Sequence, residues 1–300
     1  MTQSVLLYKK HKPLISIITV VLNNRVGLEL TAASVVNQIC FSNMEWIVID
    51  GGSTDGGVDV LKSYQDELTY WVSEPDGGIY EAMNKGLMHA NGEYVLFLNA
   101  GDALCSADVM THVLEDTRYG KVDYLSGNIY YTIDNEVIGK SYSPKVVTGL
   151  YLFKESLGHQ STFMRTSRLK EYGGYDTKYR IVADAKFFFE DMIMRDASYS
   201  KLDFYVSNYD LSGVSTINWT ANKKERERFL KEILPERIYA DYQRMAYGET
   251  TLEKLECKMG KKSFLYKLLT YLAIFGYIPK AILKRVKMKK KILGSRLNKS

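Results

Sequence analysis

Two short segments combine carboxylates with glycines in a way that suits ligand chemistry: Asp50-Gly51-Gly52-Ser53-Thr54-Asp55-Gly56 and Asn99-Ala100-Gly101-Asp102. In the first, glycines let the backbone approach a ligand closely, and Asp50 can accept hydrogen bonds from a nucleobase imide or a ribose. The same residues also read as a plain strand-to-helix turn, with Ser53, Thr54 and Asp55 suited to start the next helix. In the second, the Asp102 carboxylate can bind a hard divalent cation, Mn2+ or Mg2+, that keeps its other positions for diphosphate oxygens and water. Such an ion would stabilise the charge developing on a departing nucleoside diphosphate.

Both segments follow apolar runs that predict buried strands. Leu14 to Leu22 (LISIITVVL) is a continuous β-branched stretch, Glu45 to Asp50 (EWIVID) ends on a carboxylate, and Tyr94 to Leu98 (YVLFL) leads into Asn99. Between them, helices are predicted from about Gly27 to Ile39, Gly57 to Glu67 and Ile79 to Ala90, with a short strand near Tyr70 to Ser73. This alternation predicts an α/β fold with a mostly parallel central sheet and helices on both faces. In such sheets ligands bind beyond the carboxyl ends of the strands, where both acidic segments fall. Residues 120 to 220 read as the same domain with more irregular β structure. A boundary is placed near residue 220, where Lys223 to Arg228 (KKERER) begins a charged helical stretch, giving a domain over 1–220 and a helical extension over 221–300.

The composition narrows the class. The chain has 300 residues, enough for one large α/β domain and an appendage. Its net charge of +5 is unevenly spread: residues 258–300 hold 13 Lys/Arg and no acid, leaving 27 basic against 35 acidic residues before them. The body is therefore acidic, and no nucleic-acid partner is expected. Cys40, Cys105 and Cys257 offer neither a disulfide framework nor a metal knuckle, and the first residues do not read as a secretory signal, so a cytoplasmic location is expected.

In order, the stretches SIITVVLNN from Ser16, DGGSTDG from Asp50, SEPDGGIYEAMNKG from Ser73, YVLFLNAGD from Tyr94, GHQSTFMR from Gly158 and YRIVADAKFFFE from Tyr179 resemble the family 2 glycosyltransferases, especially bacterial enzymes that build surface polysaccharides. The resemblance covers roughly residues 14 to 216 and implies the GT-A nucleotide-sugar-binding fold. It implies that Thr19 and Val20 line the nucleotide site, that Asp50 contacts the base, uracil in many relatives, and that Asp76, Asn84 and Lys85 lie near the ribose, sugar or phosphates, with Ser53 beside them. The family's acidic metal motif has aspartates at both ends, whereas here Asn99 stands first and Asp102 last. Asp102 is therefore the expected metal ligand, and Asn99 is expected to hydrogen-bond the donor. Asp184 matches the position of the family's general base, which would take the acceptor proton in an inverting displacement. Read without the family, it is a surface or capping aspartate before the apolar helix FFFEDMIM. His159 and Gln160, and Gly213 and Ser215 in Gly213-Val214-Ser215-Thr216, are candidates for acceptor or diphosphate contacts.

Phe264 to Ile278 (FLYKLLTYLAIFGYI) is too short to span a bilayer, and Lys284, Arg285, Lys287, Lys289, Lys290 and Lys291 follow it. Residues 258–300 are expected to bind a membrane surface as an amphipathic, basic segment, which suits a saccharide acceptor on a polyprenyl diphosphate at the inner face of the plasma membrane. The pattern leaves oligomeric state, donor sugar and linkage open. Two other readings are a sugar nucleotidyltransferase, which would need a glycine-rich basic loop where Val21-Leu22-Asn23-Asn24 stands, and a non-catalytic saccharide-binding protein of the same fold, which intact Asp102 and Asp184 oppose.

Overall fold

The computed structural model describes residues 13–211 and 219–247. Contacts divide the chain into two compact units, Met1–Tyr239 and Ala240–Ser300, and the architecture below is that of the first.

Strands β1 (Ile15–Val21), β2 (Met44–Asp50) and β4 (Tyr94–Phe97) are buried along their whole length, as their unbroken apolar runs require. With β3 (Tyr70–Ser73) they form a parallel block in the order β3-β2-β1-β4. Helices α1 (Arg25–Val36), α2 (Gly57–Ser63) and α3 (Ile79–His89) connect them. Helix α3 buries Tyr80, Ala82, Met83, Gly86 and Leu87, a spacing that keeps one face on β1 and β2. Gly86 allows that close approach, because a Cβ there would stand 2.5 Å from Ile18 Cγ2.

The second half of the sheet is mixed. After the short β5 (Ala103–Leu104) and α4 (Val109–Glu115) come the hairpin β6 (Tyr124–Ile133) and β7 (Glu136–Ser141), then α5 (Gly149–Lys154), β8 (Thr162–Arg165) and α6 (Thr166–Glu171). Helix α7 (Ala183–Phe189) runs into a π-type turn, Glu190–Met194, before β9 (Tyr199–Asp210). Strand β8 inserts antiparallel between β4 and β6, β9 lies parallel to β6, and β5 pairs antiparallel with the end of β9. The nine strands among the described residues thus make one sheet with a parallel first half, flanked by helices: the expected α/β GT-A architecture. Helices α8 (Trp219–Ile233) and α9 (Glu236–Tyr247) complete the described chain.

Boundaries differ from the sequence expectation by a few residues. Helix α1 starts two residues early, capped by the Asn24 side chain, which accepts from Gly27 N at 3.0 Å. The helix after Asp50 ends at Ser63 rather than Glu67, and Asp55 stands just outside it. Its carboxylate accepts from Arg25 N at 2.7 Å and Gly57 N at 3.0 Å, so it ties the starts of α1 and α2 together. Among the described residues no helix is long and apolar enough to cross a membrane; residues 258–300 lie outside them.

Candidate active site

A cavity of about 670 Å³ opens where the strands β1 and β4 end. Parallel register sets the strand ends level, pairing Val21 with Asp50 and Asp50 with Ser73. The loop after β4 is held from α1: Thr31 Oγ1 donates to Asp102 O at 2.6 Å and accepts from Gly101 N at 3.1 Å, while Asn24 Nδ2 donates to Ala100 O at 3.0 Å. Gly101 takes a φ of +108°, which a side chain would strain, and a Cβ there would sit 3.2 Å from Asp210 Oδ2.

Asp102 is 4% exposed and lines the cavity. Its Oδ1 accepts from Asp210 N at 3.2 Å. Burial pushes its carboxyl up to about 7, with the His159 charge opposing and the Asp210 carboxylate adding to the rise. Among the described residues no group of three or more His, Cys, Asp or Glu is placed to hold a metal ion. What the loop after β4 offers is one buried carboxylate whose charge is only partly offset, by His159. That donor set fits a hard cation that takes most of its oxygens from a diphosphate and water.

Across the cavity stands Asp184, in the first turn of α7. Its Oδ1 accepts from Tyr80 Oη at 2.7 Å and from Ala185 N at 2.8 Å, and Oδ2 meets His159 Nδ1 at 2.9 Å. Tyr80 Oη also reaches Ile181 O at 2.8 Å. Burial would raise the Asp184 carboxyl, but the hydrogen bond and charge of His159, with the Tyr80 hydroxyl, outweigh it and hold it below the usual range. For His159, burial disfavours the proton, and the Asp184 hydrogen bond with the Asp184 and Asp102 charges reverses the outcome, raising its pKa. His159 Nε2 lies 3.1 Å from Asn99 Nδ2, so the loop after β4 and Asp184 are joined through one imidazole.

The remaining sequence candidates divide by position. Val20, Asp76, Asn99, His159 and Gln160 line the cavity with Asp102 and Asp184. Asp76 also accepts from Gly78 N at 2.9 Å. Thr19 is fully buried, accepts from Trp46 Nε1 at 3.0 Å, and faces the core rather than the cavity. Asp50 is fully buried too, accepting from Gly52 N, Ser53 N, the Ser53 hydroxyl and, at 2.5 Å, the Ser73 hydroxyl. It shapes its own turn. Asn84 bonds the backbone of Tyr175 through both amide atoms at 2.8 Å, and Lys85 pairs with Glu74 at 2.9 Å. Gly213 and Ser215 lie outside the described residues.

Sequence reading missed Tyr80, although it stands inside the quoted stretch SEPDGGIYEAMNKG. It foresaw a charged helix from about Lys223 but not that this helix, α8, supplies Asn222 and Arg226 to the lining. Arg226 donates to Leu152 O at 2.6 Å and Phe153 O at 3.2 Å, capping the carbonyl end of α5. Glu225 accepts from the backbone N–H groups of Arg180 and Ile181, closing the approach to α7.

A curled α/β sheet with an acidic loop at a strand end and a second buried carboxylate facing it defines a nucleotide-sugar-dependent transferase architecture. Residues 16–181 match the profile of Glycosyl transferase family 2, and the chain belongs to that family. It is a glycosyltransferase. The chain is 36% identical over 179 residues to the uncharacterized glycosyltransferase MT1564 of Mycobacterium tuberculosis, spanning 58% of this chain and 67% of that one. It is 42% identical over 94 residues, 30% of this chain and 37% of the other, to the putative teichuronic acid biosynthesis glycosyltransferase TuaG of Bacillus subtilis. In fold it resembles S. aureus TarS in complex with UDP-GlcNAc, with a TM-score of 0.57 at 16% identity over 85% of this chain and 79% of that one. It also resembles the mannosyltransferase PcManGT of Pyrobaculum calidifontis in complex with GDP-Man and Mn2+, with a TM-score of 0.58 at 15% identity over 94% and 81% of the chains.

Proposed function

We propose that this enzyme is an inverting, metal-dependent glycosyltransferase that moves a sugar from a UDP-sugar to a saccharide acceptor carried on a polyprenyl diphosphate, in surface polysaccharide biosynthesis. The observation that carries the reading is the placement of Asp102 and Asp184 on one cavity, the first with burial outweighing the His159 charge and the second kept ionised. Nucleotide sugars bound to two neighbours of the same fold, one with Mn2+, support the donor class and the ion. TuaG, named for teichuronic acid biosynthesis, supports the polysaccharide role.

A divalent cation held by Asp102 would offset the charge of the departing diphosphate. Tyr80 and the Ala185 N–H occupy Oδ1 of Asp184, and His159 occupies one side of Oδ2. The second lone pair of Oδ2 is left to receive the acceptor hydroxyl proton. As that proton moves to Asp184, the acceptor oxygen bonds to the anomeric carbon, and the bond from that carbon to the diphosphate breaks with its electron pair leaving on phosphate. Attack from the face opposite the leaving group inverts the anomeric centre.

Residues 1–220 form the catalytic domain in this reading, and 221–300 extend it, with α8 closing the cavity and 258–300 serving as the membrane-associating segment at the cytoplasmic face. The test pairs two variants in one titration and turnover series. Asp184→Asn keeps UDP affinity and loses transfer, because an amide cannot accept the proton. Asp102→Ala loses the gain in UDP affinity that Mn2+ gives the wild type. Full turnover in the first variant, or an unchanged Mn2+ effect in the second, removes the corresponding role.

A further inference from the structure

We propose that His159 is the positioning residue of the base, holding Asp184 through Nδ1 and anchoring it through Nε2 to Asn99, so that donor contact and base orientation are linked by one imidazole. The inference rests on the reading of Asp184 as the base.

The donor inventory leads to it. Asp184 receives three protein donors, two on Oδ1 and the His159 ring on Oδ2, so the lone pair left for an acceptor hydroxyl sits on the oxygen that His159 holds. Loss of the ring would free the carboxylate to turn about its Cβ–Cγ bond. In the neutral ring, the form that prevails above the raised pKa of His159, donation from Nδ1 requires the proton there, which makes Nε2 an acceptor. Asn99 Nδ2 stands 3.1 Å from Nε2 and supplies the matching donor.

Asn99 is fixed on that side alone. Its Oδ1 is buried with no hydrogen-bond partner among the described residues, at the cavity that also holds Asp102. A hydroxyl of the donor sugar or ribose bonding to Oδ1 would satisfy this atom and fix the amide with Nδ2 toward His159. The amide in that orientation selects the imidazole with its proton on Nδ1, aimed at Asp184. In the reverse orientation Oδ1 faces Nε2 and favours a proton there. Donor occupancy thus sets the tautomer next to the base with no backbone movement. The charged and titratable groups around the ring are Asp184 from α7 and Asp102 from the loop after β4, with Tyr80 of α3 bonded to Asp184.

The test uses the full chain, UDP as the binding probe, and hydrolysis of UDP-glucose, UDP-GlcNAc or GDP-mannose, whichever the wild type cleaves fastest, with water in the acceptor's place. His159→Ala is expected to lower kcat about 10²-fold, the scale set by misplacing a reacting group, with UDP affinity held within roughly twofold. The acidic limb of its kcat–pH profile moves to higher pH, because burial of Asp184 is no longer offset. His159→Asn, whose amide nitrogen can replace Nδ1, recovers part of both. Asn99→Ala moves the limb in the same direction and adds nothing in the His159→Ala background. The chain has four histidines, so 15N-histidine spectra can read the tautomer directly. The signal lost in His159→Asn reports Nδ1–H in the UDP-sugar complex and changes in Asn99→Ala. Should His159→Ala fail to fold by circular dichroism, His159→Asn, Asn99→Ala and the spectra carry the comparison. An acidic limb unmoved in the His159 variants, additive effects at 99 and 159, or a tautomer indifferent to Asn99 overturns the proposal while leaving Asp184→Asn inactive. Turnover surviving in Asp184→Asn overturns the base assignment instead.

Discussion

Burial of Asp102 makes its proton hard to lose, and the sign of the consequence is fixed. Its folded pKa of about 7 lies above the ordinary 3.8, so the folded protein binds this proton more tightly than the unfolded chain does. Its contribution to stability is complete below about 4 and is lost as pH rises through about 7. In chelator-treated protein, Asp102→Asn is therefore expected to gain stability relative to wild type across that window, followed by urea unfolding at a series of pH values. A constant difference would show that Asp102 ionises freely. Residue type and place were enough to single out Asp102, whereas Asn99, His159 and Asp184 were named through the resemblance to family 2 glycosyltransferases. Their hydrogen bonds were not legible, because His159 and Asn99 lie 60 positions apart, and Tyr80 and Asp184 lie 104 apart. The resemblance implied that Thr19 lines the nucleotide site and Asp50 contacts the base; both stand in strands covered on both faces, where Thr19 accepts from Trp46 and Asp50 accepts from the turn that follows it.

Among the elements, periodicity located the parallel block and its helices to within a few residues, because each buried strand is a continuous apolar run. It failed for FFFEDMIM, which reads as one helix. The α-helix stops at Phe189, and a π-type turn carries Asp191 inward. There the fully buried carboxylate takes two bonds from Arg168, at 2.8 and 2.7 Å, and one from Tyr124 Oη at 2.5 Å. A carboxylate two positions after the helix end gives no local sign of a partner 23 residues upstream. Because Asp191 is buried, removing Arg168 takes away both of its charged hydrogen bonds and leaves only Arg195 Nη1, at 3.9 Å, to offset the carboxylate, at a cost of roughly 3 kcal/mol. Arg168→Met is expected to lower the urea midpoint accordingly, and Arg168→Met with Asp191→Leu to recover most of the loss. A single variant as stable as wild type would show the pair to be dispensable.

Over the whole molecule, the distribution of charge separates chemistry from location. An acidic body carries the cavity, and residues 258–300 carry 13 basic side chains without an acid. Removing that segment is expected to shift the protein from the membrane to the soluble fraction while UDP affinity stays unchanged; partition of the shortened chain with membranes would defeat the assignment. The family match ends at residue 181, three residues before Asp184. Other residues that line the cavity, including Asn222 and Arg226 of α8, lie beyond it. That is where this enzyme has room to differ from its relatives.

The reach of Asp184 back to Tyr80 bears on how the molecule emerges during synthesis. The βαβ units that lead to Asp102 are complete in sequence once that residue has been made, whereas Asp184 waits for α7. Units rich in local contacts tend to form first on the ribosome. We expect that a nascent chain grips nucleotide before it can turn it over, and that UDP slows proteolysis of chains stalled just past β8 while donor hydrolysis begins only after α7 has emerged. Simultaneous appearance of both would show that the fold closes in a single step.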